Sequence, residues 1–184
     1  LACVKAFIRF LIEDGVVHPE VLSKRMIVKV PDSLPRAMER EDEETLLSVI
    51  DDVRNRAMIL LLLRTGMRSG ELLNTLLRAV NLKEQKIDIW EEQKNRAGRV
   101  VYFSDDAHGA LKAWLKIRDS GKDHVFYALG RDTMSYSAAR KMFCKYIDKA
   151  GLSYKDYTLH CLRHSNASSL LNAGMPLECL KELL

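Results

Sequence analysis

Residues 158–174 read TLHCLRHSNASSLLNAG, and the opening of that segment carries the wrong charge for a helix start. The free N–H groups at a helix N-terminus bear partial positive charge, so the position favours a small capping residue or an acid. Here His160, Arg163 and His164 crowd the first turn instead. The rest of the segment is built for burial and offers no counter-charge. An anion supplied from outside the helix is the natural partner.

Working outward, helical patterns dominate. Downstream, PLECLKELL begins with Pro176, which suits a first turn because its missing N–H would be unsatisfied there anyway. Upstream, SYSAARKMFCKYIDKAG puts Ala139, Met142, Phe143, Tyr146 and Ile147 on one stripe and leaves Lys141, Lys145 and Lys149 stacked outside. DDAHGALKAWLKIRD reads as another helix. RNRAMILLLLRTG is apolar nearly all round and stops at Gly66, which marks a central buried helix. SGELLNTLLRAV follows it as a further helical pattern. KIDIW and RVVYF have strand propensity and flank the polar tip EEQKNRAG, an antiparallel hairpin. The fold class is α+β, predominantly helical, with a small antiparallel sheet.

Near the start, CVKAFIRFLIEDG reads as a helix with Val4, Phe7, Ile8 and Leu11 apolar, ended by Gly15. HPEVLSKRMIVKVPDSLPR has three prolines and no sustained period, as a linker does. Three parts follow: residues 1–17 as the end of a preceding helical domain, 18–35 as a linker, and 36–184 as the main domain. The chain opens on Leu1 and stops inside the amphipathic pattern LKELL, so truncation at both ends is expected.

Composition narrows the class further. No run approaches the about 20 apolar residues of a membrane span, and no secretory signal precedes the first helix, so a cytoplasmic protein with no membrane partner is expected. Cys3, Cys144, Cys161 and Cys179 stand singly, as small reduced core residues would. Net charge is +4, yet the segment from Arg36 to Asp52 is net −5, leaving +9 over the remainder. That asymmetry suits a polyanion. The acids of MEREDEETLLSVI fall in the first turns of a helix, where the macrodipole explains them without any function.

Four groups at element edges could carry chemistry. Arg68, in TGMRSGELL, leaves the core directly after a glycine turn. Lys94 sits in the hairpin tip. His160 and Arg163 are three apart on a helix and project from one face. Together they outline a cationic pocket. Plainer readings exist for each. Arg68 can pair with Glu71 one turn on, Lys94, Arg96 and Arg99 can be solvated charge, and the lysine stripe can be a wet face. His160 and His164, with Cys161 nearby, mimic a zinc pair, but there is no HExxH and no third ligand cluster, so no metal is expected. His164 reads as a packing residue, and Glu71 as a helix-start carboxylate or a partner of Arg68.

TGMRSGELL, the hairpin lysine before RVVYF, and HCLRHSNASSLLNAGMPLECLKELL, in that order, resemble the catalytic domain of the tyrosine recombinases, the phage integrase family. The likeness runs from about Arg36 to Leu184. The resemblance implies that Arg68 and Arg163 are the catalytic arginines, Lys94 the hairpin lysine and His160 the second-box histidine. It implies DNA strand cleavage and rejoining through a 3′-phosphotyrosine without metal, ATP or other cofactor. Double-stranded DNA is the implied partner, with a homo-tetramer assembled on it, and the reaction belongs to site-specific recombination or integration in phages and mobile elements. Two guanidinium forks can meet the charge that builds on a phosphodiester undergoing transesterification. A lysine can protonate the departing 5′ oxygen, and an imidazole can exchange a proton near neutrality. Arg96, Arg99, Lys141, Lys145 and Lys149 are further candidates for DNA contact.

The sequence departs from that family in two places. The family continues past LKELL with a Gly-His or Gly-Trp step and the nucleophilic tyrosine, while Tyr102, Tyr127, Tyr136, Tyr146, Tyr154 and Tyr157 all precede His160. None is assigned as nucleophile, and the chain alone is expected to bind DNA weakly and not to cleave it. EEQKNRAGR also lacks the family's glycine beside the lysine, which keeps Lys86 and Arg96 open as the active cation. The alternatives are a non-catalytic DNA-binding relative, a helical interaction domain, or the related chemistry of type IB topoisomerases.

Overall fold

The structure, a computed structural model, describes residues 2–22, 37–89 and 98–183. Most of the expected linker, the hairpin tip and the candidates Lys94 and Arg96 lie outside the described residues. The chain divides into two compact units, Leu1–Leu34 and Pro35–Leu184.

In the first unit α1 (Ala2–Glu13) is followed by Gly15 at φ 72° and a 3₁₀ turn at Pro19–Leu22. The expected apolar stripe is only partly covered: Ile8 and Leu11 are partly buried, while Val4 and Phe7 are each more than half exposed.

The second unit holds α2 (Arg40–Ser48), α3 (Val53–Thr65), α4 (Ser69–Leu73), β1 (Val80–Asn81), β2 (Lys86–Ile89), β3 (Arg99–Tyr102), α5 (Asp105–Ile117), α6 (Tyr136–Lys149), α7 (Leu159–Asn172) and α8 (Leu177–Leu183). The sheet is antiparallel in the order β1-β2-β3, with Ile87 opposite Val80 on one side and Val101 on the other.

The all-apolar run becomes the axis of the domain. Every residue from Ala57 to Leu63 is at most 3% exposed, and α3 packs against both α5 and α7. Asp52 caps its N-terminus by accepting the Asn55 N–H at 2.9 Å. At the other end Gly66 takes the left-handed conformation, φ 64°, and its N–H returns to Leu62 O at 3.1 Å. A side chain at that φ would be strained, which is why glycine ends this helix.

Two expectations need correction. SGELLNTLLRAV is not one helix: α4 stops at Leu73, and residues 75–77 pair instead with 123–125, Val125 N donating to Thr75 O at 2.9 Å and Leu77 N to Asp123 O at 2.8 Å. Tertiary pairing overrides helix propensity there. The cysteines are not uniformly core residues either, since Cys161 is buried while Cys144 and Cys179 are exposed.

The acidic start of α2 does more than meet a helix dipole. Asp42 is 8% exposed and accepts the Tyr157 hydroxyl at 2.6 Å and the Lys155 ammonium at 2.5 Å. Burial pushes its carboxyl up, but the bonds from Lys155 and Tyr157 outweigh that and hold it below the ordinary value. Ser165 of α7 accepts the Met38 N–H at 2.7 Å, so the approach to α2 is bound to α7 as well.

Candidate active site

The last turn of α3 organises the site. Thr65 is 3% exposed; its hydroxyl donates to Leu61 O at 2.6 Å and accepts the Met67 N–H at 3.2 Å. Met67, 1% exposed, then anchors the chain in the core. Arg68 follows as the N-cap residue of α4, and Glu71 in the first turn reaches back to accept the Arg68 N–H at 2.6 Å. This is half of a capping box, with the glutamate satisfying an orphan helix donor.

Helix α7 supplies the other side. The final carbonyls of a helix lack intrahelical partners, and here polar side chains of α7 meet them. Asn166 Nδ2 donates to Leu63 O at 3.0 Å, and Arg163 Nη1 donates to Gly66 O at 2.6 Å. The start of α7 is itself closed by the Thr158 N–H donating to Cys161 Sγ at 3.3 Å. Arg163 and the Arg68 turn thus meet around one helix end, although Arg163 and Gly66 are 97 residues apart in sequence.

Glu71 sits at the centre. Its Oε1 accepts Arg68 Nη1 and Arg99 Nη1, both at 2.9 Å, and its Oε2 accepts the Arg68 N–H at 2.6 Å and Arg99 Nη2 at 2.8 Å. The Arg99 contact is a two-pronged, charge-assisted fork. Burial raises the Glu71 carboxyl, but the bonds from Arg99 and Arg68 outweigh it and hold it below its usual value. Arg163 is half-buried, and burial first, then the charges of Arg68 and Arg99, lower its guanidinium, while Glu71 acts the other way. Glu71 thus binds two of the guanidiniums directly, and its charge also acts on the third, Arg163.

His160 is exposed, and its ring meets that of His164 edge to face with centroids 4.5 Å apart. Burial, then His160 and Arg163, hold the His164 imidazole below its ordinary value. Lys141, Lys145 and Lys149 lie exposed along α6, a helix packed against α4, and Lys149 also pairs with Asp51 at 2.8 Å. A shallow depression of about 380 Å³ on this face is lined by Arg140, Lys141, Cys144, Lys145 and Asp148 among others. Lys86 is tied to Glu84. Among the described residues no cluster of three or more His, Cys, Asp or Glu could hold a metal ion.

Residues 36–184 match the phage integrase family. The chain belongs to that family. Tyrosine recombinase XerA of Pyrococcus horikoshii is 31% identical over 159 residues, which is 85% of this chain and 54% of that protein. The crystal structure of XerA recombinase superimposes with a TM-score of 0.75 at 26% identity, covering 90% of this chain and 61% of that one. XerH site-specific recombinase, solved bound to difH substrate as a pre-cleavage complex, gives a TM-score of 0.68 at 26% identity, over 82% of this chain and 47% of that one. This family member therefore spans between about half and two thirds of the length of these relatives. Its fold is that of a tyrosine recombinase catalytic domain: α+β, mostly helical, with the small antiparallel sheet.

Two features of the site escaped the sequence. The acceptors that hold Arg163 and Asn166 are main-chain carbonyls, which leave no residue signature. Arg99, expected at a DNA surface, turns inward and is only 19% exposed at its side chain. That orientation is legible in hindsight, since Arg99 and Val101 share one face of β3, with Phe103 next in the alternation just beyond the strand, and the latter two are buried.

Proposed function

We propose that this domain binds the scissile phosphate of double-stranded DNA between Arg68 and Arg163 and serves site-specific recombination or integration. The observation that carries the reading is the meeting of the two motif arginines at the C-terminal end of α3, close enough that the charge of Arg68 acts on Arg163. The two guanidiniums bind the non-bridging oxygens and stabilise the charge that develops there during transesterification, a role that needs preorganised donors more than it needs a metal. His160, on the same helix as Arg163, hydrogen-bonds the phosphate or relays its proton. Lys94 protonates the leaving 5′ oxygen. A tyrosine forms the 3′-phosphotyrosyl link, which keeps the bond energy for rejoining. None of the six tyrosines of this sequence is proposed for that role; Tyr146 and Tyr157, for instance, are buried in hydrogen bonds to Asp51 and Asp42. The lysine stripe of α6 tracks the DNA backbone. In the full-length protein, a tetramer on two duplexes is the working assembly, residues 1–17 belong to the preceding helical domain, and residues 18–35 form the linker.

The support from relatives is that XerA and XerH, similar over most of this chain, are recombinases and that XerH has been solved on its DNA substrate. The test is fluorescence anisotropy of a labelled duplex titrated with the chain at several salt concentrations. Binding that weakens steeply with salt is expected, and Arg163→Ala and Arg68→Ala should each lower the affinity several-fold. Binding insensitive to salt and to both substitutions would remove the DNA reading. A nicked duplex incubated with the chain should give no covalent adduct; an adduct would show that one of the six tyrosines is the nucleophile after all.

A further inference from the structure

Arg99 has an environment unlike that of a DNA contact. Both of its Nη atoms are committed to Glu71, at 2.9 and 2.8 Å, and its side chain is 19% exposed against 49% for Arg68. The Glu71 side chain, 12% exposed, accepts four bonds in all, two from each arginine, which fills its lone-pair capacity. Swinging Arg99 out to a phosphate would break both prongs and strand a buried carboxylate, the costly way to part such a pair.

We propose that Arg99 is a positioning residue that acts through Glu71: it neutralises the carboxylate, so that Glu71 orients Arg68 without cancelling the charge Arg68 offers to a phosphate. The inference rests on the reading that Arg68 and Arg163 bind phosphate. With Arg99 in place, the charges of Glu71 and Arg99 offset each other. Without it, the Glu71 charge falls on Arg68, and the site loses one positive charge. Strand β3 and the N-terminus of α4 are joined by the same contact.

The consequence is a rescue that no simple DNA-contacting arginine would show. Inorganic phosphate, followed by ³¹P line broadening at constant ionic strength, is the probe, and circular dichroism checks folding of each variant. Arg99→Gln should weaken phosphate binding about 10-fold, the effect of roughly one nearby unit charge. Arg99→Lys, which keeps the charge but loses the fork, should stay within about threefold of the parent chain. Adding Glu71→Gln to Arg99→Gln should recover most of the loss, because the carboxylate that competes for Arg68 is gone. An unchanged affinity in Arg99→Gln, or a double variant as weak as the single one, overturns the proposal. If Arg99→Gln does not fold, the double variant, uncharged at both positions, decides: binding within about threefold of the parent supports the neutralising role, and a 10-fold loss overturns it. Arg68→Ala is the control for the underlying reading. If it leaves phosphate binding untouched, the phosphate site itself is wrong and the role of Arg99 falls with it.

Discussion

Thr65→Val isolates one hydrogen bond at the base of the site. The two side chains have the same shape, so packing around this 3% exposed position is kept while the hydroxyl is lost. Leu61 O retains its helical partner within α3. The Met67 N–H, which donates to the hydroxyl at 3.2 Å, is left buried and unsatisfied. An orphaned buried donor costs about 1–3 kcal/mol, and the extra apolar methyl returns part of that, giving a net loss of about 1.5 kcal/mol. For a chain of 150–250 residues each kcal/mol lowers Tm by about 2–4 °C, so a drop of about 3–6 °C is expected. Thr65→Ser is the matched comparison, keeping both bonds and losing a buried methyl worth about 0.8 kcal/mol. Urea unfolding followed by circular dichroism and tryptophan fluorescence, with an unchanged m-value, measures both. The expected order is parent, then serine, then valine. Valine as stable as the parent, or more stable than serine, would show that shape and not the bond to Met67 sets this turn.

Three further outcomes are expected. Gly66→Ala places a side chain at φ 64°, costing about 1–2 kcal/mol in urea unfolding, and should also weaken phosphate binding, because the carbonyl it displaces holds Arg163. Phe143→Ala empties a site with 0% exposure in the core and should cost about 3–5 kcal/mol by the same assay, a large share of the about 5–15 kcal/mol usual for a folded domain. Asp51, whose carboxyl the bonds from Lys149 and Tyr146 lower from 3.8 to about 2, contributes stability that is complete above pH 3.8 and disappears as pH falls to about 2. Asp51→Asn should therefore flatten the acid limb of the stability curve in that window, seen by thermal melts from pH 5 downward.

What the sequence disclosed and what it withheld follow different physics. The run from Arg54 to Thr65 identified the central helix because apolar residues occupy every direction around it, and Gly66 fixed its end through a conformation that side chains resist. Phe143, Tyr146 and Ile147 repeat at helical spacing, so the buried face of α6 was readable too. The site was half readable. Arg68, His160 and Arg163 declare themselves by charge at element edges, and Glu71 by its distance of three residues from Arg68. The inward turn of Arg99 needed the two-residue alternation of β3 to be given more weight than its charge. The contacts of Arg163 with Gly66 O, and of Asn166 with Leu63 O, are set by where two distant helices cross, which no local pattern records. Residues 74–79 were misread because their pairing with 123–125 is likewise long-range.

The oxygen that anchors Arg163 belongs to the peptide unit of Gly66. Every amino acid carries that atom, so no change of side chain at position 66 can delete the acceptor; it can only move it. A designer seeking to release the arginine would therefore work on the path of the backbone through the turn, by a substitution that shifts it or by an insertion or deletion, since recoding a codon cannot remove the oxygen itself.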